Sequence, residues 1–454
     1  MPDKNNSISC DVLVCGAGPA GFCAAIAAAR NGADTVILDK ETGPGGAIVW
    51  SLVTPLMTFH AASGQQVIKG IAEELVNDTV KAGGSPGHIP DPLGVAATIT
   101  PVDPDIFGAC VLKRLKEAGV KTMFGGEASG VIMAGDTITG AAVKNEPGGA
   151  LISAKVVVDA TGDAEIARMC GAAFTHGRPR DGKTQPMTLM FIMDGISGAK
   201  VREYIKANPG EFVLSAAARK DIDSLPLIAV SGFFSLVRKA QQDEKLILFR
   251  DRVLYFELPR AGQAAVNMTR VLNLSGTDPL QRAYAAEIGR RQMDEAVIFL
   301  KKYVPGFERS FLSRAASRIG VRETRHIAGR STLTEEDVLT GRVFEDSIAR
   351  GAFPIDIHSP DGAGLDIREM KPGAAYGIPY GCMLPEKIEG LLVAGRAISA
   401  THEANASARL SPTCMALGQA AGTAAALCVK TGAMPSKADV AELRRILTSQ
   451  NAVI

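Results

Sequence analysis

Residues 10–40 read CDVLVCGAGPAGFCAAIAAARNGADTVILDK. The run Cys10–Cys15 is short and, apart from Asp11, apolar, as a parallel strand is when both of its faces are covered. GAGPAG (Gly16–Gly21) follows without a spacer, then FCAAIAAARNG, rich in helix formers and ended by Gly32. TVILDK gives a second strand that finishes on Asp39. Strand, glycine turn, helix, strand and acid in this order make a dinucleotide-binding unit. Gly16 permits the tight turn, Gly18 lets the backbone approach a pyrophosphate, and Gly21 lets the helix pack closely on the strand. The helix N-terminus offers free N–H groups to phosphate. Asp39 stands where a carboxylate holds ribose hydroxyls.

The chain has 454 residues, enough for two or three domains with a sizeable core. An apolar fraction of 46% with 21% charged residues is ordinary for a globular protein. A net charge of +1 gives no electrostatic basis for binding nucleic acid or an anionic membrane surface. The eight cysteines are scattered, with no C-x-x-C pair, so no metal site, iron–sulfur cluster or redox dithiol is expected. Thiols set among Ala, Val and Leu read as small apolar fillers in a reducing, cytoplasmic compartment. MPDKNNSISC lacks an apolar signal core, and the apolar segments, broken by Arg, Gln or Gly, read as too short to span a membrane.

NAD and FAD both fit the first unit, so the rest of the chain decides between them. ETGPGGAIVWS adds a second glycine cluster at Gly43, Gly45 and Gly46. Residues 120–144 read as short strands with turns at GGE and AGD. KVVVDATGDAEIA is a buried strand running into Ala160-Thr161-Gly162-Asp163, and GLLVAGRAISA another running into Gly395 and Arg396. LSPTCMALGQAAGTAAALCVKTG reads as a helix with Pro412 at its start and small residues suited to close packing. No second G-x-G-x-x-G has a strand and an acid around it, so a dedicated NAD(P)H domain is not expected.

The order GAGPAG, DK, GPGGA, DATGDA, VAGR and SPTCMALGQAAG resembles the bacterial FAD-dependent oxidoreductases. These are flavoproteins of the glutathione-reductase-type FAD fold, distantly similar to fumarate reductase flavoproteins. The resemblance runs nearly end to end and includes TQPMTLMF (184–191), GVRETRHIAG (320–329), TLTEEDVLTGR (332–342) and LLVAGRAISATHEA (391–404). It implies an α/β fold: a discontinuous Rossmann-like FAD-binding domain (1–185 and 375–454) with an inserted substrate or cap domain (186–374). It implies Gly16, Gly18, Pro19, Ala20 and Gly21 along the pyrophosphate, and Asp39 and Lys40 at the adenosine ribose. Gly45, Gly46 and Ala47 would follow the extended arm. Ala128 would meet adenine through its backbone, and Ala160, Thr161 and Gly162 would pass near the adenosine half. Gly395 and Arg396 would meet the pyrophosphate and ribityl chain. The helix opened by Pro412, Thr413, Cys414 and Met415 would aim its N-terminus at the isoalloxazine O2 edge, where a positive dipole stabilises anionic reduced flavin.

A flavin enzyme takes or gives hydride at N5 while a protein group moves a proton. His60, in TPLMTFHAASG, follows the second glycine turn and is expected over the flavin; in fumarate-reductase relatives a histidine of this region can carry FAD covalently. His402, in ISATHEANAS, is expected beside the isoalloxazine. IGVRETRHIAGR (319–330) brings Arg322, Glu323, Arg325 and His326 together between apolar flanks. If it is extended, Val321, Glu323 and Arg325 share one face and Arg322, Thr324 and His326 the other. Arg325 then braces Glu323, Arg322 anchors a carboxylate or polar oxygen of the substrate, and His326 assists proton transfer. The family usually has a second Arg at the position of His326, and Gly-Glu-Tyr where this chain has Gly329-Arg330-Ser331. Capping-box spacing at Thr332–Glu335 and Thr334–Asp337 starts a helix just beyond. The expected function is FAD-dependent oxidation or reduction of a small polar organic substrate, with the electron acceptor or donor unnamed. The alternatives are a flavoprotein subunit that passes electrons to a redox partner protein, and a non-redox flavin-dependent isomerase or lyase. A homo-oligomer is compatible with the sequence.

Overall fold

The computed structural model describes all residues except 1–6, 145–148, 245, 247 and 363. The strand that leads into the glycine turn runs Ser7–Cys15. Thr35–Asp39 lies parallel on one side of it with Lys121–Phe124 beyond, and Ala150–Asp159 lies parallel on the other. Leu391–Val393 extends the parallel order along the C-terminal half of Ala150–Asp159. The hairpin of Glu127–Ala134 and Thr137–Lys144 continues antiparallel from the other half. Both faces of this sheet are covered, which explains the apolar run Val12–Cys15 at its start. Val12 and Val14 pack into the core shared with helix Pro19–Arg30, while Leu13 and Cys15 pack into the core on the opposite face.

Helix Ser411–Thr431 lies across helix Pro19–Arg30, and small residues set the separation. A Cβ on Gly418 would fall on the carbonyl oxygen of Ala20, and one on Gly422 on that of Ala24. Contrary to the sequence expectation, this helix is long and apolar enough to cross a membrane, but 89% of its apolar window is buried inside the protein. Its hydropathy comes from the alanines and glycines that let it lie close to its neighbours.

A second sheet is antiparallel throughout, in the order Phe212–Val213, Ala229–Gly232, Val253–Glu257, Ala264–Val266, Phe191–Asp194, Phe311–Ala315. Helix Pro279–Tyr303 covers it, and Met293, Phe299 and Leu300 share a core with Phe191, Tyr255 and Val266. That core ends at Ala316; Leu333, Val338, Ile348, Ile355 and Tyr376 belong instead to the core of the first sheet. Segment 186–374 therefore contributes to two cores. The charged stretch 319–330 is where the chain returns from one to the other. Gly320 bridges Thr188, and Arg325–Ile327 pairs antiparallel with Phe174–His176. Helix Glu335–Thr340 follows, with Thr334 and Asp337 forming a reciprocal capping box. Thr332 does not cap it; its hydroxyl is shared with Ser399.

The helix crossing yields a test. Gly422→Val is expected to cost about 3 kcal/mol through overpacking against Ala24. Ala416→Val, at a partly buried position of the same helix, is expected to cost less than about 1 kcal/mol. Urea unfolding followed by circular dichroism measures both, and equal midpoints for the two variants would contradict the close crossing.

Candidate active site

Parallel strands deliver the loops that follow them to one edge of a sheet. Here the glycine turn, the end of Thr35–Asp39, the DATGDA and VAGR loops and the start of helix Ser411–Thr431 meet around one cleft of about 500 Å³. Gly16, Gly18, Pro19 and Ala20 line it, with Asp39, Lys40, Gly46 and Ala47 beside them. Ala128 lines it from the edge strand Glu127–Ala134, Ala160, Thr161 and Gly162 from the loop after Ala150–Asp159, Gly395 and Arg396 from the loop after Leu391–Val393, and Cys414 from the helix Ser411–Thr431. The remaining residues expected at the cofactor stand back from the wall. Gly21 lies against the carbonyl of Gly16, and Gly45 donates to Ala17 O at 2.8 Å. Pro412, Thr413 and Met415 are buried in the helix packing, and Ser411 joins Cys414 in reaching the cleft from that first turn.

These residues suit an extended dinucleotide. Gly16 has φ +101°, and a Cβ on Gly18 would meet nothing nearer than Gly46 Cα at 3.8 Å, so that face of the turn is open for a ligand backbone. Asp39 is fixed at the rim, accepting from Ala17 N–H at 2.5 Å and Glu41 N–H at 2.9 Å. Arg282, Arg318 and Arg325 face the cleft as well. Sequence reasoning missed Arg282 and Arg318, which come from distant segments with no motif of their own.

The 319–330 stretch departs from the expected alternation. The chain joins a ladder only at Arg325, so no pleat constrains Val321–Thr324. Glu323 and His326, assigned to opposite faces, instead converge: His326 Nε2 lies 3.1 Å from Glu323 Oε1, and His402 Nδ1 lies 2.8 Å from the same oxygen. Gln185 N–H donates to Glu323 Oε2 at 3.0 Å. Burial works against the Glu323 charge, but the hydrogen bonds from His326 and His402 outweigh it and hold the carboxyl at about 2. Arg325 does not brace Glu323; it pairs with Glu165 at 2.7 Å and donates to Asp163 O at 3.0 Å. Arg322 donates to Pro186 O at 2.6 Å and Thr188 Oγ1 at 2.7 Å. Thus Arg322, His326 and His402 come into one region, with the Glu323 group set behind the cleft wall.

His60 goes elsewhere. The strand before it, Pro55–Met57, pairs with Thr98–Pro101 and carries it to the edge of a small separate sheet. There its Nδ1 is 3.1 Å from Thr98 Oγ1 and its ring meets His88 edge-on at 5.0 Å, away from the cleft lining. His88 contacts Glu73 at 2.8 Å. Tyr380 also points away, its hydroxyl donating to Pro435 O at 2.9 Å. Burial pushes the Cys382 thiol up to about 12, as suits an inert packed residue.

Two outcomes are expected. Gly18→Val fills the open face of the turn, so the purified variant is expected to lose its visible flavin absorbance while retaining its far-ultraviolet dichroism. Glu323 has a folded-state pKa below its ordinary 4.5, so its contribution is complete above that value and is lost as pH falls toward about 2. Wild-type stability is therefore expected to fall more steeply than that of Glu323→Gln between about pH 4.5 and 2, which urea midpoints across that range would test.

Comparison with known proteins gives the same outline. A triple mutant of the flavin-dependent brominase Bmp2 superposes with a TM-score of 0.51 at 14% identity, over 97% of this chain and 85% of the other. p-Nitrophenol 4-monooxygenase PnpA from Pseudomonas putida gives 0.48 at 11%, over 98% and 86%. A geranylgeranyl bacteriochlorophyll reductase-like protein from Thermoplasma acidophilum gives 0.46 at 13%, over 98% and 84%. At 14% identity the brominase likeness is one of fold alone; the Rossmann-like FAD/NAD(P)-binding α/β architecture with additional domains is that of the family whose model matches. The family model described as FAD dependent oxidoreductase matches residues 11–447, from the first strand through the cleft and both sheets to the last helix. The chain belongs to that FAD-binding family and is an FAD-dependent oxidoreductase.

Proposed function

We propose that this is a cytoplasmic FAD-dependent dehydrogenase or reductase that moves hydride between flavin N5 and a small polar organic substrate. In this reading 1–185 and 375–454 hold FAD in the glutathione-reductase manner and 186–374 caps it. The observation that supports it best is the single cleft, with the glycine turn, Asp39 and Ala128 joined to Arg409 and Ser411. FAD, when bound, supplies hydride acceptance or donation. The chain's own work is to hold the dinucleotide along Gly16–Ala20, Asp39 and Ala160–Gly162, to fix the substrate, and to manage a proton.

A carboxylate only accepts hydrogen bonds, so Glu323 keeps a proton on His402 Nδ1 and another on His326 Nε2. His326 Nδ1 is left buried with no partner, and His402 Nε2 makes no hydrogen bond among the described residues. Glu323 thereby orients both rings, as an acid orients a histidine in a catalytic triad, and leaves the other nitrogen of each ring as an acceptor. Gln185 links this group to the cleft: its N–H donates to Glu323 and its Oε1 lies 3.3 Å from Arg409 Nη2. We assign Glu323, His326 and His402 as the proton-holding group and Arg322 as the substrate anchor. His60 takes no part.

Under anaerobic conditions, one member of a panel of hydroxy acids, sugars and amines is expected to bleach the bound flavin. With that substrate His402→Asn is expected to lower kcat by at least about 100-fold, shift the pH–rate profile and leave flavin content unchanged. A wild-type pH profile in that variant removes His402 from the proton path.

A further inference from the structure

Four arginines from separate parts of the chain meet where the second sheet joins the cleft. Arg250 precedes strand Val253–Glu257, Arg270 follows Ala264–Val266, Arg322 lies on the return segment, and Arg409 precedes helix Ser411–Thr431. Arg250 and Arg270 are 5% and 3% exposed. Arg322 and Arg409 keep partial exposure, and Arg409 lines the cleft.

Among the described residues none of the four forms an ion pair; each donates to neutral oxygens. Arg250 bonds Asn267 O at 3.0 Å, and Arg270 bonds Ser359 O at 3.0 Å and Gly364 O at 2.9 Å. Arg322 bonds Pro186 O and Thr188, and Arg409 is 3.3 Å from Gln185 Oε1 and 3.4 Å from Asp356 O. The carboxylate felt by all four is Asp356, whose Oδ2 is 3.4 Å from His358 Nε2 and whose Oδ1 is buried without a partner. Arg270 Nε and Arg409 Nε are likewise buried and unpartnered. Burial first, and then the charges of Arg409, Arg250 and Arg270, push the Arg322 pKa well down. His358 is driven to about 3 by burial and then by Arg322, so it adds no charge at neutral pH. Guanidinium groups stay protonated in proteins, so four positive charges meet the shared carboxylate of Asp356, with Glu323 also acting on Arg409 and Asp251 on Arg250, in a largely buried place. A structural brace is built differently, as the neighbouring pairs Arg325–Glu165 and Arg396–Asp163 show at 2.7 and 2.6 Å.

We propose that this cluster recognises a carboxylate of the substrate, taken between Arg322 and Arg409 with Arg250 and Arg270 adding positive charge behind them. The substrate class is then organic acids, not neutral sugars or amines. This rests on the hydride-transfer reading, which needs the substrate at this end of the cleft. Arginine suits the task because its planar fork matches a carboxylate bidentately.

The FAD-loaded protein would be titrated calorimetrically with acetate, malonate and succinate, with their uncharged amides, and with inorganic phosphate. At least one carboxylate is expected to bind saturably, its amide to bind at least tenfold more weakly, and Arg322→Met and Arg409→Met each to weaken it at least tenfold with flavin content unchanged. Equal binding of acid and amide in the wild type, which needs no variant to fold, overturns the proposal. So does unchanged carboxylate affinity in both variants, or binding of phosphate alone. Carboxylate binding that depends on both arginines, with no organic acid changing the flavin's redox state, upholds the site and removes the hydride-transfer reading. Flavin reduction by a neutral sugar or amine, unaffected in both variants, does the reverse.

Discussion

The carboxylate of Asp163 joins three distant parts of the chain at one buried point. It lies in the DATGDA loop, is 5% exposed, and accepts from Arg396 Nη2 at 2.6 Å and Thr324 Oγ1 at 3.0 Å. Burial alone would raise its pKa; the adjacent Arg396 guanidinium outweighs this and holds it below the ordinary aspartate range. Arg396 also donates to Val321 O at 2.8 Å, and Arg325 to the Asp163 carbonyl. The late strand, the central strand and the return segment are thereby locked where the cleft forms. A buried pair of this kind is costly to break from one side because the remaining charge is left without compensation. The positions of Glu323 and Arg322, which lie beside Thr324, depend on that lock.

Parts of this arrangement could be read in the sequence because their cause is local. The glycine turn, the acid after the second strand and the small-residue helix each follow from the conformation or approach distance of consecutive residues, and these positions reach the cleft or pack as the spacing implies. Other parts follow from contacts between residues far apart in the chain. Glu323 finds His402 across 79 positions, and Arg325 finds Glu165 across 160. Alternation gave the wrong partners for Glu323 and Arg325 because it holds only within a paired strand. His60 misled for a related reason: nearness in sequence to the second glycine turn says little once Pro55–Met57 has paired with a strand some forty residues on.

Arginine serves two purposes around the cleft, and the partner separates them. Where a carboxylate stands within ion-pair distance, as for Arg325, Arg396 and Arg318 with Glu41 at 3.3 Å, the cation fixes one segment to another. Where the partners are carbonyls and amides, as for Arg250, Arg270, Arg322 and Arg409, the side chain is oriented but its charge is not neutralised. Neutral acceptors fix a guanidinium without cancelling its field, so the field remains for an incoming anion.

That distinction explains why whole-chain composition was uninformative about the site. The chain carries 49 Lys and Arg against 48 Asp and Glu, a balance of +1 that reads as electrically bland. Balance over the chain does not require balance at each place. Many exposed charges are closely matched, as in Lys206–Asp223 at 2.6 Å and Arg178–Asp181 at 2.7 Å, and in water such pairs contribute little. Arg250, Arg270, Arg322 and Arg409, which form no ion pair among the described residues, are gathered largely in the interior, where weaker screening makes each charge act over a longer range. A near-neutral protein can therefore offer a small anion a positively charged pocket that its net charge does not reveal.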